Sequence, residues 1–259
     1  MLSRVTWGRL ASLALFVVIV LAWEVLARGS RLSVLVLPAP SVIWDALWSG
    51  LRSGYFLPHL VHTGTELLLG LALGCAAGLL GGITLGESAF LRRLLFPWVL
   101  VSQVVPKLAL APLFIVWFGF GMTSTVVITA LICFFPLMEN TLTGLQQVEP
   151  RKLELFRMLG ATRLQTLLRL KIPSGLPVIL AGFRVAVVLA LVGAVVGEFI
   201  GGSKGLGALI IASQGMMDTP LMFAVLLIIT VLGLLMYQLA VGLERLLLWP
   251  HLRQENTKD

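Results

Sequence analysis

The segment from Pro150 to Pro177, PRKLELFRMLGATRLQTLLRLKIPSGLP, decides how the rest of the chain is read. Hydrophobic segments flank it, yet it carries Arg151, Lys152, Glu154, Arg157, Arg163, Arg169 and Lys171. Charge at this density does not sit in hydrocarbon, so the segment is a long aqueous loop between membrane spans. Two short helices are expected within it. Pro150 suits a first helical position, and Leu153, Phe156 and Leu159 recur at helical spacing. Gly160 breaks the run. Thr162 followed by Gln165 forms a capping box for the second helix, where Leu164, Leu167 and Leu168 make an apolar stripe. Pro173 is expected to end that helix. A helix–Gly–helix unit with an apolar stripe and basic flanks suits docking into a groove on a partner. The plainer reading is an amphipathic loop lying on the membrane surface.

The chain around this segment is 58% hydrophobic and only 12% charged over 259 residues, with a mean hydropathy of +1.01. A soluble domain does not tolerate that average, so the fold expected is an all-α polytopic membrane protein. The net charge of +7 raises the question of nucleic acid. The basic residues concentrate in particular loops instead, which argues against it. Cys75 and Cys133 both fall in apolar segments and read as buried thiols. The N-terminus imitates a signal peptide, with Arg4 and Arg9 before an apolar run and Val25-Leu26-Ala27 resembling a cleavage site. The run from Leu10 to Ala27 is long enough to span, and an uncleaved first helix is expected.

Six spans are read, each near the ~20 residues a bilayer needs. They run about Leu10 to Arg28, Leu60 to Leu85, Leu94 to Phe118, Ser124 to Leu145, Leu176 to Ile200 and Leu221 to Leu248. Between the first two lies a loop with Pro38, Pro40 and Pro58. A tight Gly119-Phe120-Gly121 turn joins the third and fourth, and a Gly-rich loop through Gly201, Gly202, Gly205 and Gly207 joins the last two. With the N-terminus inside, Arg4, Arg9, Arg92, Arg93, Arg151, Lys152, Arg157, Arg163, Arg169, Lys171, Arg245, Arg253 and Lys258 are cytoplasmic. Only Arg28, Arg31, Arg52 and Lys204 are outside. This imbalance puts both termini and the charged loop in the cytoplasm. Trp7, Trp98, Trp117 and Trp249 fall near span ends as interfacial anchors. The whole chain, 1–259, reads as one domain with a core over 60–248 and the charged loop over 150–173. In the second span Gly70, Gly74, Gly78, Gly82 and Gly86 recur every four residues, which makes a smooth groove for a neighbouring helix. Close packing and a mobile sliding surface are both compatible with it.

Sites of chemistry are sparse. No G-x-x-x-x-G-K-[ST] phosphate loop, H-E-x-x-H, C-x-x-C or G-x-S-x-G stretch occurs, so no ATP hydrolysis, cofactor or metal is expected on this chain. His59 and His62, at i and i+3, lack carboxylate or cysteine company in the sequence and read as wet-rim residues. Ionisable residues inside spans are better signals, because they face the bundle interior or a water-filled path. Lys107 follows Pro106 in VSQVVPKLALAP, with Pro112 shortly after. The two prolines break helix continuity and leave polar backbone that must line protein or water. A broken helix with a cation suits an anionic solute; the other reading of Lys107 is a structural salt bridge to Glu139, Glu66 or Glu198. Arg184 reads mainly as a snorkelling residue at the inner interface. Glu139 and Asn140, after Pro136, are placed at the inner end of the fourth span, where they would seal or gate the mouth. Glu198 precedes GGSKGLG, whose glycines permit a re-entrant turn near an outer gate. Together Pro106, Lys107, Glu139, Arg184 and Glu198 are the candidate path residues.

Glu154, then Gly160 six places on, then Leu170-Lys171-Ile172-Pro173, resembles the cytoplasmic "EAA" loop of permease subunits of ATP-binding-cassette importers. That pattern is Glu-Ala-Ala, three residues, Gly, nine residues, then Ile-x-Leu-Pro. Here Leu155 and Phe156 replace the alanines, and Leu170 and Ile172 replace the Ile/Leu pair. Glu198, Gly205, Leu206 and Gly207 are similar to the family's "Glu, then Gly-Leu-Gly" segment, and Val105 to Gly121 resembles its nitrate/sulfonate/taurine branch, which includes importers of thiamine-precursor pyrimidines. The resemblance implies that Glu154, Phe156, Leu159, Gly160, Ala161, Ile172 and Pro173 couple the chain to an ATPase. It implies a multi-pass homodimer in the cell inner membrane, on a dimer of ATPase subunits that carry the ATP and Mg, served by an extracytoplasmic solute-binding protein. The solute expected is a small anion such as a sulfonate, taurine or nitrate, or a thiamine-precursor pyrimidine. The rival class is a self-sufficient secondary carrier or channel, for which the charged loop would have no purpose.

Overall fold

A computed structural model describes residues 2–29 and 36–255, and these are helical almost throughout. The elements are α1 (Leu2–Gly29), α2 (Pro40–Arg52), α3 (Leu57–Glu87), α4 (Ala89–Val104), α5 (Ala111–Phe118), α6 (Met122–Gln146), α7 (Pro150–Met158), α8 (Arg163–Thr166), α9 (Ile172–Gly201), α10 (Leu206–Gly215) and α11 (Thr219–Glu255). Among the described residues four helices are long and apolar enough to cross a membrane: Leu57–Glu87, Met122–Gln146, Arg163–Gly201 and Thr219–Leu248. They correspond to the second, fourth, fifth and sixth expected spans. The first expected span lies in α1. Arg31 and Lys258, with the side chains of Arg4, Arg9, Trp7, Trp249, His251 and Arg253, lie outside the described residues.

The centre of the fold is α6, flanked along its length by α3 and α9. The glycine period of α3 sets this arrangement. A Cβ built on Gly70 would lie 2.5 Å from the Thr129 side chain, one on Gly74 2.5 Å from the Ala130 carbonyl, and one on Gly78 2.7 Å from the Phe134 carbonyl. One on Gly82 would lie 2.7 Å from the Met138 carbonyl. From Gly70 to Gly82 every fourth residue of α3 therefore lies against the backbone of α6, the packing alternative for that groove, whereas Gly86 meets the Leu145 side chain. On the other side of α6, Gly182, Gly193 and Gly197 of α9 receive Asn140, Thr129 and Thr125, and Gly144 meets Gly175 backbone to backbone. Leu67, Cys133, Leu137, Ile179, Ala186, Ala190 and Ala194 fill the core between the three helices.

The third expected span is broken. Val105 is extended ahead of Pro106 (φ −63°, ψ 125°), as a residue before proline prefers. A 3₁₀ turn over Lys107–Leu110 then precedes the short α5. Three expectations fail. The Pro38–Pro58 loop contains α2, because Pro40 and Pro58 sit in the first turns of α2 and α3 and start helices there. The Gly-rich loop after α9 contains α10, whose N-cap Gly205 has φ 118°. Pro173 also fails to stop the second loop helix. Residues Leu167–Lys171 wind as a π turn that carries α8 into α9 without interruption, so the helix that contains the fifth span begins at Arg163, well before Leu176. The widened turn accommodates a proline that cannot donate its own hydrogen bond.

The α3–α6 contact gives a direct test. Gly78→Val places carbon against a backbone carbonyl and is expected to cost about 1–3 kcal/mol. Gly64 of the same helix has open space beside it, and Gly64→Ala is expected to be neutral. Thermal unfolding of the detergent-purified protein measures both; equal midpoints would refute close packing along this groove.

Candidate functional site

The broken helix delivers Lys107 to a cavity of about 520 Å³ bounded by Gln103, Lys107, Ile132, Phe135, Pro136, Glu139, Asn140, Val185, Leu189 and Val192. The 3₁₀ turn supplies Lys107, the outer face of α6 supplies the aromatic and acidic wall, and α9 supplies the aliphatic wall. The Lys107 ammonium lies over the Phe135 ring, 4.5 Å from its centroid, rather than in an ion pair with Glu139, Glu66 or Glu198. A cation–π contact of this kind is worth roughly 0.5–2 kcal/mol. Gln103 Nε2 lies 3.5 Å from Glu139 Oε2, and Asn140 Nδ2 donates to the Pro136 carbonyl at 2.8 Å. That last bond uses one of the two amide hydrogens of Asn140 and ties its side chain to the carbonyl of the proline inside α6. Glu139 and Asn140 therefore stand in the cavity wall with Lys107. Pro106 shapes the turn but does not line the cavity.

Two candidate path residues lie elsewhere. Arg184 does not snorkel freely: its Nε lies 2.9 Å from Glu244 Oε2 of α11. It borders a second cavity of about 460 Å³ with Val185, Val188 and Tyr237. Glu198 is 1% exposed and lines neither cavity. It is instead the hub of a buried polar knot joining α3, α9 and α10. Thr63 donates to Glu198 Oε1 at 2.6 Å, the Gly207 N–H donates to Oε2 at 2.6 Å, and the Leu206 N–H donates to Thr63 Oγ1 at 2.8 Å. Glu66, also 1% exposed, lies within hydrogen-bonding reach of Glu198 and 3.3 Å from His62 Nε2. His59 Nδ1 sits 3.0 Å from the Gly205 carbonyl. A side chain at Gly205 would run into the Glu198 carboxyl and force a left-handed backbone on an L residue. His59 and His62 thus belong to this knot rather than to a wet rim. Among the described residues no group of three or more His, Cys, Asp or Glu is placed to hold a metal ion. Of the two thiols expected to be buried, Cys133 is fully buried, its Sγ 3.6 Å from the Gly70 carbonyl, and Cys75 is half-buried. Thr63 and Gln103 were not singled out by sequence; a polar residue on an otherwise apolar helix was the available signal.

The charged loop forms a third site. Glu149 precedes α7 with Pro150 in its first turn. Gly160 takes φ 71°, a conformation that excludes a β-carbon at little cost. Thr162 and Gln165 make both halves of the capping box, at 3.2 Å and 2.8 Å. Leu155, Met158, Leu159, Leu164 and Leu168 are exposed at the surface of this unit, whereas Phe156 is half-buried. Glu154 is exposed, and Ala161, Ile172 and Pro173 are half-buried. The Lys171 ammonium lies 2.7 Å from Glu87, tying the start of α9 to the end of α3.

Residues 70–248 match the family described as "Binding-protein-dependent transport system inner membrane component". The chain belongs to this family. The permease is 37% identical to the riboflavin transport system permease protein of Chloroflexus aurantiacus over 246 residues, 95% of this chain and 92% of that protein. It is 36% identical to a formylaminopyrimidine transport permease protein of Halalkalibacterium halodurans, over 90% of this chain and 92% of that protein. It is 29% identical to the taurine transport system permease protein of Escherichia coli, over 91% of this chain and 86% of that protein. Its fold is similar to that of an inward-facing methionine ABC transporter structure, with a TM-score of 0.66 and 19% identity over 74% of the permease and 95% of that chain. It is thus a multi-pass membrane permease of the ABC transporter class.

The knot around Glu198 carries its own prediction. Glu198→Ala strands the Thr63 hydroxyl and the Gly207 N–H, at about 1–3 kcal/mol for each buried donor left unpaired. A lowered unfolding midpoint and faster hydrogen exchange at Gly207 than in the wild type are expected. Unchanged exchange there would show that α10 is held by other contacts.

Proposed function

We propose that this chain is the membrane-spanning subunit of an ATP-driven importer, working as a homodimer on two ATPase subunits that bind the ATP and Mg. A solute-binding protein delivers a small solute from outside, and the Lys107–Glu139 cavity is part of the path it follows. The chain crosses the membrane six times, with α1 as the first span and α4 with α5 as the broken third, and both termini are cytoplasmic. The observation that carries the reading is the loop Pro150–Lys171: two short helices hinged at Gly160, basic, and studded with exposed leucines beside Met158. Large apolar side chains held out on a charged cytoplasmic loop have no use in water, and they fit a groove on an ATPase. Burying one such side chain contributes about 1.5–3 kcal/mol, and Glu154 adds a charge-assisted contact.

Leu159→Asp and Gly160→Val are the tests. Each is expected to leave a folded membrane dimer that fails to retain its ATPase on affinity pull-down and loses uptake tenfold or more. Solute-stimulated ATP hydrolysis should fall together with uptake. Retained ATPase with normal stimulation in both variants would show that this loop is not the coupling element. Transport by the lone chain in liposomes would favour a secondary carrier.

Orientation is tested separately with Arg163→Cys and Ser203→Cys in a background lacking Cys75 and Cys133. A membrane-impermeant thiol reagent applied to spheroplasts is expected to label position 203 and not position 163. Labelling of position 163 from outside would invert the topology.

A further inference from the structure

Helix α2 carries more apolar surface than its neighbours cover. We propose that it lies along the headgroup zone of the outer leaflet, with Trp44, Trp48 and Leu51 seated in phospholipid. The choice of leaflet rests on the topology proposed above; the seat in lipid does not.

At 3.6 residues per turn the helix divides into three arcs. Ile43 and Gly50 are buried, and with Ala46 and Leu47 beside them they form the arc that shares a core with α10 and α11. Next round the helix come Leu51, Trp44 and Trp48, which are 52%, 60% and 46% exposed. Ser41, Arg52, Asp45 and Ser49 make the far side. The apolar arc therefore runs on past the core for three residues before the polar arc begins. A helix of this pattern suits the boundary between acyl chains and water. Tryptophan and tyrosine collect at that boundary because an apolar ring carries a polar tip, and Tyr55, just after α2, is exposed as well. The Arg52 guanidinium lies over the Trp48 ring, 4.7 Å from its centroid. That sets a cation between the tryptophan and the polar arc, where lipid phosphates lie.

The place of α2 in the fold fits this occupant. Ser41, in its first turn, is held by Glu24 near the end of α1: the Ser41 N–H donates to Oε2 at 3.0 Å and its hydroxyl to Oε1 at 2.8 Å. At the other end a β-carbon on Gly50 would strike the Phe56 ring, and Gly54 takes φ 71°, so the chain turns sharply into α3. The buried arc meets Ala224 and Val225 near the start of α11. Helix α2 thus crosses the ends of three long helices, on the side of the Glu198 knot and away from the charged loop. Leu226 and Leu227, next to Val225, are exposed apolar residues of a helix long enough to cross the membrane, so the band on α2 borders a surface that faces lipid. The band also points sideways, between the core beneath and the polar arc above. A partner arriving from the water would meet Asp45 and Ser49 first. Because α2 and α10 share one core, a lipid seat for α2 fixes the platform on which α10 rests.

The test places a spin label at Trp44→Cys, Trp48→Cys and Leu51→Cys, and at Asp45→Cys and Ser49→Cys, each in the background lacking Cys75 and Cys133. All five side chains are exposed, so the replacements leave the core intact. The labelled permease is carried with its ATPase in phospholipid liposomes. Power saturation then compares collisions with oxygen, which enters lipid, and with a water-soluble nickel chelate. The oxygen-to-nickel ratio is expected to be about threefold or more higher at 44, 48 and 51 than at 45 and 49. Equal ratios along the helix would put the band in water and overturn the proposal. Labels at 44, 48 and 51 that neither reagent reaches would show that a second copy or another subunit covers the band, and would overturn it too. Loss of oxygen contact there on adding the solute-binding protein would make that protein the occupant instead. The leaflet is decided in spheroplasts, where a membrane-impermeant thiol reagent is expected to reach positions 45 and 49 from outside. Reaction only in inside-out vesicles would overturn the outer-leaflet assignment and the proposed topology together, and leave the lipid contact standing.

Discussion

The contact on which the rest of the structure depends is the approach of α3 to α6 through Gly70, Gly74, Gly78 and Gly82. Helices in lipid gain little from the hydrophobic effect when they meet, so their association rests on close packing and hydrogen bonds. Removing the β-carbon at every fourth position of α3 lets the carbonyls of α6 come to the helix surface. The opposite side of α6 is approached in the same way by Gly182, Gly193 and Gly197 of α9. With both flanks closed, a third strip of α6 is left to border open space. That strip is Ile132, Phe135, Pro136, Glu139 and Asn140, the cavity wall. The cavity is therefore a consequence of where the glycines lie as much as of the polar residues that line it.

Features written as local spacing were legible in the sequence. The capping box at Thr162 and Gln165, the turn at Gly160, the break at Pro106 and the glycine period each depend on residues a few positions apart, and each is present. What the sequence did not disclose depends on distant partners. Thr63 and Glu198 are 135 residues apart, and no periodicity in either helix specifies that they meet. Nor does any pattern say that Lys107 rests on Phe135 instead of pairing with an acid. A second kind of miss came from ambiguous punctuation. Proline marks both the end of a helix and the first turn of the next, and Pro40 and Pro58 stand in first turns here, while Pro173 is carried inside a continuous helix by the π turn before it. Ile43, Leu47 and Gly50 recur at helical spacing in α2 and would have settled the first case.

The three sites share one element. The helix from Arg163 to Gly201 spans 39 residues, about 58 Å at 1.5 Å per residue. Its N-terminal end begins at the capped turn beside the exposed leucines. Its middle gives Val185, Leu189 and Val192 to the cavity. Its far end carries Glu198, which holds the start of α10 through Gly207. A rod packed this tightly against α6 does not bend easily, so a push at one end is carried to the other as a tilt or a slide rather than absorbed. The π turn and the Lys171–Glu87 ion pair sit where the rod leaves the loop and meets α3. On the proposed reading, movement of the ATPase-bound loop reaches the cavity wall and the Glu198 knot through this one helix. Near its N-terminal end Gly144 and Gly175 meet backbone to backbone, so α9 cannot shift there without moving α6.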